Sequence, residues 1–336
     1  MQILENFSLA DFNSFGINAR AAFLIKVRSK KMLRAAIAQQ KKPLMILGGG
    51  SNILLTRDVS GLVLKNEIKG KKIVATGENT ALVAVGGGEN WHRFVLWTLK
   101  NNLGGVENLS LIPGTVGAAP IQNIGAYGVE LKDVFEKLEA VDLKTGETQI
   151  FDKNDCRFGY RESIFKTTLK GRFFITKVFF RLTTTRHFLH TGYGDIQSTL
   201  DQTGIKNPTI HDVSKAVIAI RTSKLPDPAK LGNAGSFFKN PEISAGLFEK
   251  LQAENPAMPS YPQPNNLVKI PAGWLIEQCG WKGKRVGNAG SHARQALVLV
   301  NYGGATGEEI WQLAQSIRRS VFEKFGIELT PEVNVI

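Results

Sequence analysis

Two glycine triplets follow apolar runs: LMIL leads into Gly48-Gly49-Gly50-Ser51-Asn52, and ALVAV leads into Gly86-Gly87-Gly88-Glu89-Asn90. Glycine lets a backbone take positive φ and approach a ligand closely, and the N–H groups so exposed can hold a pyrophosphate. Neither triplet completes a dinucleotide fingerprint, because Ile53 and Trp91 stand where a further glycine belongs and no clear βαβ unit surrounds them. The second triplet is expected to be only a tight turn. A third segment runs Ile112-Pro-Gly-Thr-Val-Gly-Ala-Ala-Pro-Ile-Gln-Asn-Ile-Gly-Ala-Tyr-Gly128. Its small residues, prolines and the amides of Gln122 and Asn123 suit a rigid loop folded around a flat, hydrogen-bonding ligand.

Single side chains that could act chemically are Arg161 in GYRESI, Ser236 in GNAGSFFKNP and Glu332 in LTPEV. Taken alone, such an arginine is a solvated charge and such a serine a turn residue. No Gly-x-Ser-x-Gly elbow surrounds Ser236 and nothing marks a histidine partner for it, which argues against a hydrolase triad. His92, His187, His190, His211 and His292 lack metal-ligand spacing, so no metal site is expected. Cys156 and Cys279 have no paired spacing and are expected to be buried, reduced thiols.

The elements that must position these residues are mixed. AAFLIKV, LMIL, LVL, KIVA and ALVAV read as strands, and SKKMLRAAIAQQ (29–40) as a helix. WHRFVLWTLKNN reads as a helix with Trp91, Phe94, Val95 and Thr98 on one side, ending near Gly104-Gly105. LEAVDL, TQIF and FFITKVFFRL, with the turn Lys144-Thr-Gly-Glu147, predict antiparallel strands. After a polar stretch and the helical VSKAVIAIRTSK, Pro226 and Pro228 disfavour helix and mark a boundary. Beyond it, Thr306 with Glu309 forms a capping box ahead of an apolar face of Ile310, Leu313, Ala314, Ile317, Val321 and Phe322, and Gly326 stops the helix.

The 336 residues, 43% hydrophobic and 21% charged, exclude a disordered, collagen-like or coiled-coil chain. The longest apolar runs, such as Ala296 to Val300, are strand-sized, so no membrane span is expected. The start, MQILENFSLADF, lacks the basic and apolar regions of a secretory signal, and a cytoplasmic location is expected. A net charge of +13 attracts polyanions. The basic residues are scattered, with only short clusters such as those at 28–31 and 69–72 and no aromatic-interleaved motif, and phosphorylated small ligands fit a basic protein too.

Taken together, Asn13-Ser-Phe-Gly16, GGGSN, IPGTVGAAPIQNIGAYG, GYRESIFK, GNAGSFFKNP, AGWLIEQCGWKG and the terminal TPEV, in this order, resemble the UDP-N-acetylenolpyruvoylglucosamine reductase (UDP-N-acetylmuramate dehydrogenase) family over nearly the whole chain. The resemblance implies an α+β fold. It places an FAD-binding domain of the vanillyl-alcohol-oxidase (PCMH) type at 17–187, with subdomains at about 1–70 and 71–225. A C-terminal α+β substrate-binding domain at 226–326 and a strand at 327–336 carrying Glu332 would follow.

By the same resemblance, Gly48, Gly49, Gly50, Ser51 and Asn52 with Ile112, Pro113, Gly114, Thr115, Gly117, Ala118, Gln122, Asn123, Gly125, Ala126, Tyr127 and Gly128 form the FAD cradle. Neither segment holds a His or Cys, so FAD is expected to be non-covalent. NADPH is implied as hydride donor. Hydride then passes from flavin N5 to C3 of the enolpyruvyl group, and protonation at C2 gives UDP-N-acetylmuramate for peptidoglycan. Arg161, Ser236 and Glu332 are implied as catalytic: Arg161 offsets the developing negative charge, Ser236 gives the proton, and Glu332 positions or polarises the enolate end.

Tyr193, Lys224, Asn240, Lys269 and Gln295 are implied as substrate or nucleotide contacts. Tyr193 stands in His190-Thr-Gly-Tyr-Gly-Asp195, resembling the tyrosine-bearing loop of one of two subtypes, which closes over the UDP moiety. The expected partner is this small-molecule substrate, bound by a monomer without nucleic acid or membrane. Two readings compete. An FAD oxidase of the same fold, acting on an alcohol or phenol, is disfavoured by GNAGSFFKNP, which belongs to the reductase resemblance and not to the flavin cradle. A basic nucleic-acid-binding protein would be colourless and bind in a strongly salt-dependent way.

Overall fold

The computed structural model describes residues 1–38 and 44–336, and the chain divides into two compact units. The first comprises Met1–Phe7, Ala21–Gly49 and Val59–Ser223; the second comprises Ser8–Arg20, Gly50–Asp58 and Lys224–Ile336. Pro226 and Pro228 follow the last boundary directly. The two N-terminal segments recruited by the second unit carry no compositional mark.

In the first unit a four-stranded sheet has the order Leu4–Ser8, Arg20–Val27, Val59–Asn66, Leu44–Leu47. Val59–Asn66 runs parallel to both of its neighbours, so the chain must cross over between them. The helix Lys30–Ala38 belongs to that crossover and buries Leu33 and Ala36 with Ile25, Val27, Leu62 and Leu64. Gln39 and Gln40, expected in the same helix, lie outside the described residues.

The second sheet of this unit is antiparallel throughout, in the order Thr148–Asp152, Phe135–Asp142, Phe173–Thr183, Thr80–Gly86, Lys71–Thr76. The helix Trp91–Lys100 is capped by Asn90, whose side chain accepts from Arg93 N, and buries Trp91, Phe94, Val95, Thr98 and Leu99. Its Phe94 and Trp91 rings meet Phe180 at 4.9 and 5.9 Å. The expected apolar face and the three expected antiparallel strands are therefore present.

The triplet Gly86-Gly87-Gly88, expected to be a simple turn, is a buried junction. Gly87 N donates to Thr176 O and Gly117 N donates to Gly87 O, both at 2.8 Å. A Cβ on Gly87 would come within 2.3 Å of Ile175 O and 2.8 Å of Asn66 Nδ2. Gly87→Ala must push backbone apart, and we expect a loss of about 1–3 kcal/mol of stability, read from the chemical unfolding midpoint.

The second unit holds a sheet in the order Gly232–Ser236, Val298–Asn301, Ala289–Ser291, Arg285–Val286, and a smaller sheet of Glu242–Ser244, Leu267–Lys269 and Tyr261–Gln263. The helix Gly307–Phe325 begins with the expected Thr306–Glu309 capping box and ends at Gly326, φ +65°. Its buried face is Ile310, Leu313, Ala314, Ile317, Val321 and Phe325. Phe322, expected on that face, is 58% exposed. At ~100° per residue Phe325 stays within about 50° of the stripe centre, whereas Phe322 lies about 110° away. Cys156 is buried, but Cys279 is only half-buried because it terminates the short helix Ala272–Gln278. Burial pushes the Cys156 thiol up to about 12, so it stays protonated.

Candidate active site

The first unit builds a cradle from two glycine-rich segments. A Cβ on Gly49 would lie 2.6 Å from Gly114 Cα, and one on Gly48 would lie 2.8 Å from Thr115 Oγ1, so the backbones at 48–49 and 114–115 are in direct contact. The buried Gly86–Gly88 turn supports the longer segment from beneath: Trp91 N donates to Gly114 O at 3.1 Å and Val116 N to Glu89 O at 2.9 Å. Ile112, Pro113, Gly114, Ala118, Gln122, Gly125, Ala126, Tyr127 and Gly128 keep an accessible surface, while Thr115, Gly117 and Asn123 are buried.

Asn123 sits in this cradle, but its amide is taken up by the protein. Its Nδ2 donates to Glu130 Oε2 at 3.1 Å and Gly159 O at 3.0 Å, and its Oδ1 accepts from Lys132 N at 3.0 Å. Its side chain therefore braces the GYRES turn. In that turn Gly159 N donates to Glu162 O at 3.0 Å and Arg161 takes φ +53°. Arg161 Nη2 donates to Gly125 O at 2.5 Å, which joins the sequence-predicted arginine to the cradle. The Tyr193 loop lies in this unit too, with Tyr193 58% exposed.

Some residues of this site carry no sequence signal. Lys65, on the strand Val59–Asn66, donates from Nζ to Gly48 O, and burial pulls its ammonium down to about 8. Arg221 lies two helical turns beyond Ser214, on the same face of Ile210–Lys224. Ser214 Oγ meets Ser110 Oγ at 2.8 Å, which fixes that face against the segment leading to Ile112. Arg221 Nε is buried with no hydrogen-bond partner among the described residues. Burial, with the charge of Arg161 nearby, lowers its pKa. A buried cation in this condition favours an anionic ligand.

His92 Nδ1 accepts from Leu111 N at 3.0 Å, so the ring is neutral with its proton on Nε2. Burial and then the charge of Arg221 hold its pKa below the ordinary value of 6.5. A depressed native pKa means that the unfolded chain takes the proton more readily. The stability contributed by neutral His92 is full above about pH 6.5 and is lost as pH falls from there through the native value. We expect His92→Gln to reduce the acid sensitivity of the unfolding midpoint between about pH 7 and pH 5, measured by urea titration.

In the second unit, Gly50 takes φ +65° and a Cβ there would strike Phe12 O at 1.9 Å, so only glycine fits this step of the loop. Asn52 Nδ2 donates to Glu332 O at 3.3 Å, and Asn334 N donates to Asn52 O at 3.1 Å, where Ile53–Leu54 pairs in parallel with Asn334–Val335. Glu332 N donates to Phe237 O at 2.8 Å and Lys239 N to Thr330 O at 2.9 Å. The bend at Glu332 is thereby brought beside the residues that directly follow Ser236, although far apart in sequence.

Asn240 Oδ1 accepts from Ala272 N at 2.9 Å, and Gln295 Oε1 lies 3.1 Å from where a Gly273 Cβ would be. Asn240 and Gln295 therefore converge on one helix start. Lys269 Nζ reaches Gln263 Oε1 at 3.1 Å and Glu242 Oε1 at 3.2 Å, on the smaller sheet. Lys224 is exposed at the end of its helix.

A flavin nucleotide fits the donor set of the first unit. The two segments of its cradle press together so closely that a Cβ at Gly48 or Gly49 would strike Thr115 or Gly114, and Thr115 Oγ1 and Arg221 Nε are buried polar atoms with no partner among the described residues. The first would serve as a donor to ligand oxygens and the second as a positive charge. Gly48, Gly49 and Gly114 would hold it through backbone contact.

Comparison with known proteins agrees with this chemistry. Residues 21–152 match the FAD binding domain family, and residues 227–336 match the UDP-N-acetylenolpyruvoylglucosamine reductase C-terminal domain family. The UDP-N-acetylenolpyruvoylglucosamine reductase of Flavobacterium johnsoniae is 52% identical over 100% of both chains. That of Pseudomonas aeruginosa is 51% identical over 100% of this chain and 99% of its own length. The crystal structure of the reductase from Thermus caldophilus shares the fold, with TM-score 0.68 and 23% identity over 99% of this chain and 98% of that one. The α+β class with an FAD-binding domain, expected from the resemblance, is borne out. With about half its residues identical to these relatives from end to end, the chain belongs to the UDP-N-acetylenolpyruvoylglucosamine reductase family.

Proposed function

We infer that the chain catalyses the FAD- and NADPH-dependent reduction of UDP-N-acetylenolpyruvoylglucosamine to UDP-N-acetylmuramate in peptidoglycan precursor synthesis, with Arg161, Ser236 and Glu332 at the reacting end. The observation that carries this reading is the end-to-end identity of 52% with a curated reductase. When bound, FAD supplies a hydride carrier between NADPH and C3 of the enolpyruvyl group. Hydride addition at C3 leaves negative charge on C2 and the adjoining carboxylate. Arg161 stabilises that charge through its guanidinium, held by Gly125 O. Ser236 Oγ gives its proton to C2 and is reprotonated from solvent. Glu332 orients the enolate end.

On the same reading Gly48–Asn52 and Ile112–Gly128 hold FAD without a covalent bond, with Asn123 contributing as a brace. Lys224 and Lys269 suit phosphate as compact charges. Asn240 and Gln295 contact the sugar nucleotide, and Tyr193 closes over it, as in the tyrosine-loop subtype. Among the described residues no helix is long and apolar enough to cross a membrane. The protein is taken to act as a cytoplasmic monomer on this small molecule, without nucleic acid.

The test is an anaerobic mixing experiment. NADPH should bleach the flavin absorbance, and UDP-N-acetylenolpyruvoylglucosamine should restore it. Bleaching without restoration removes the substrate assignment, and a protein that carries no flavin removes the whole reading.

A further inference from the structure

Asn108 is 1% exposed, lies within the short helix Glu107–Leu109, and plays no part in the chemistry above. Its Nδ2 donates to Tyr127 O at 3.0 Å and to His190 O at 2.8 Å. One amide thus ties the end of the glycine-rich cradle to the root of the Tyr193 loop. The flanking residues hold the amide in place: Gly105 N donates to Glu107 Oε2 at 2.6 Å, and Ser110 Oγ donates to Glu107 O at 2.6 Å.

The two segments joined by Asn108 also interlock through two Tyr-Gly pairs. A Cβ on Gly128, at φ +80°, would lie 3.4 Å from Tyr193 Cβ, and one on Gly194, at φ +63°, would lie 3.7 Å from Tyr127 Cδ1. Each tyrosine therefore rests over the glycine of the other pair. Leu189 packs against the apolar core before the loop, and Ile196 is fully buried after it. Between the His190 tether and Ile196 lie residues 191–195, with Tyr193 at their centre and Asp195 O already accepting from Thr199 N at 2.9 Å.

We propose that Asn108 is a positioning residue that registers Tyr193 against the flavin-side loop, so that the tyrosine meets the sugar nucleotide in one place. The proposal rests on the reading of Tyr193 as a substrate contact. Without the amide, the loop swings from Leu189 and must be ordered when substrate binds, which weakens binding without altering the reacting groups. His190 is exposed, so its carbonyl can turn to water, and the fold should survive the change.

The experiment measures FAD content, the rate of flavin reduction by NADPH, kcat, and KM for UDP-N-acetylenolpyruvoylglucosamine. It uses Asn108→Ala, Tyr193→Ala and the double variant. Asn108→Ala should raise KM about tenfold and leave the other three within about twofold. In the Tyr193→Ala background the same change should alter KM by less than about twofold, because the residue acts through the tyrosine. Hydrogen exchange should quicken at 190–195 and stay unchanged at 112–124.

An unchanged KM in Asn108→Ala beside a raised one in Tyr193→Ala overturns the proposal alone. Loss of FAD, or an effect that adds in full to that of Tyr193→Ala, overturns it too, by showing that the amide serves the cradle. An unchanged KM in Tyr193→Ala removes the substrate reading of that residue and the proposal with it. Asn108→Ser, which leaves one shorter donor and a smaller void, is read by the same criteria if the alanine variant fails to fold.

Discussion

Arg161→Ala is expected to keep its flavin, to be reduced by NADPH at the normal rate, and to pass hydride to the enolpyruvyl substrate at least about 10²-fold more slowly. The turn that presents Arg161 explains why the loss should be so localised. Gly159 and Glu162 pair across it, and Arg161 sits between them at φ +53°, a conformation that costs a non-glycine residue energy and persists only where the surroundings impose it. The side chain then leans on the Tyr160 ring, 5.5 Å from its centroid, and binds Gly125 O. Alanine removes the charge but leaves Asn123 bracing Gly159, so the cradle keeps its shape. Arg161→Lys keeps a charge and loses the planar fork, and an intermediate rate is expected. Stopped-flow measurement of the two half-reactions separates these outcomes. Equal slowing of both would reassign Arg161 to flavin binding, and full retention of enolpyruvyl reduction would remove it from the mechanism.

What the sequence reveals and what it hides follow the range of the contacts involved. The helix Gly307–Phe325 is legible because its capping box and its Gly326 stop are local, and one phenylalanine is misplaced only where the stripe runs out. The antiparallel strands are legible from apolar runs separated by a glycine turn. GGGSN is legible as a loop, yet its division between the units is not. Gly49 owes its size to Gly114 and Gly50 owes its size to Phe12, and neither neighbour is visible from the motif.

Arg221, His92, Lys65 and Asn108 are hidden for the same reason. Each looks like an ordinary helix, strand or loop residue until a distant segment supplies its surroundings. The approach of Glu332 to the segment that follows Ser236 likewise depends on the bridge Phe238 to Pro331, and spacing cannot predict it. Only the family resemblance brought those two residues together at the level of sequence.

That bridge leads to the second large effect, for Ser236→Ala. The strand Gly232–Ser236 shifts register against Val298–Asn301 between Asn233 and Ser236, and Gly235 takes φ +72° at the shift, with its N–H donating to Asn233 Oδ1 at 2.9 Å. Such a bulge re-aims the next side chain, and here it leaves Ser236 exposed while Phe237 and Phe238 are anchored in the core. Among the described residues the hydroxyl has no hydrogen-bond partner, so Ser236→Ala should unfold at the wild-type midpoint. FAD content and reduction by NADPH should also be unchanged. The second half-reaction loses its positioned acid and should slow by about 10²-fold or more, the upper part of the usual range for one proton donor being 10⁴. Ser236→Cys supplies a group whose ordinary pKa is near 8.5 and should recover part of the rate. A variant that reduces the substrate at the full rate would place the proton donor elsewhere. One that is slow in both half-reactions would show that the strand, and not its hydroxyl, had been disturbed.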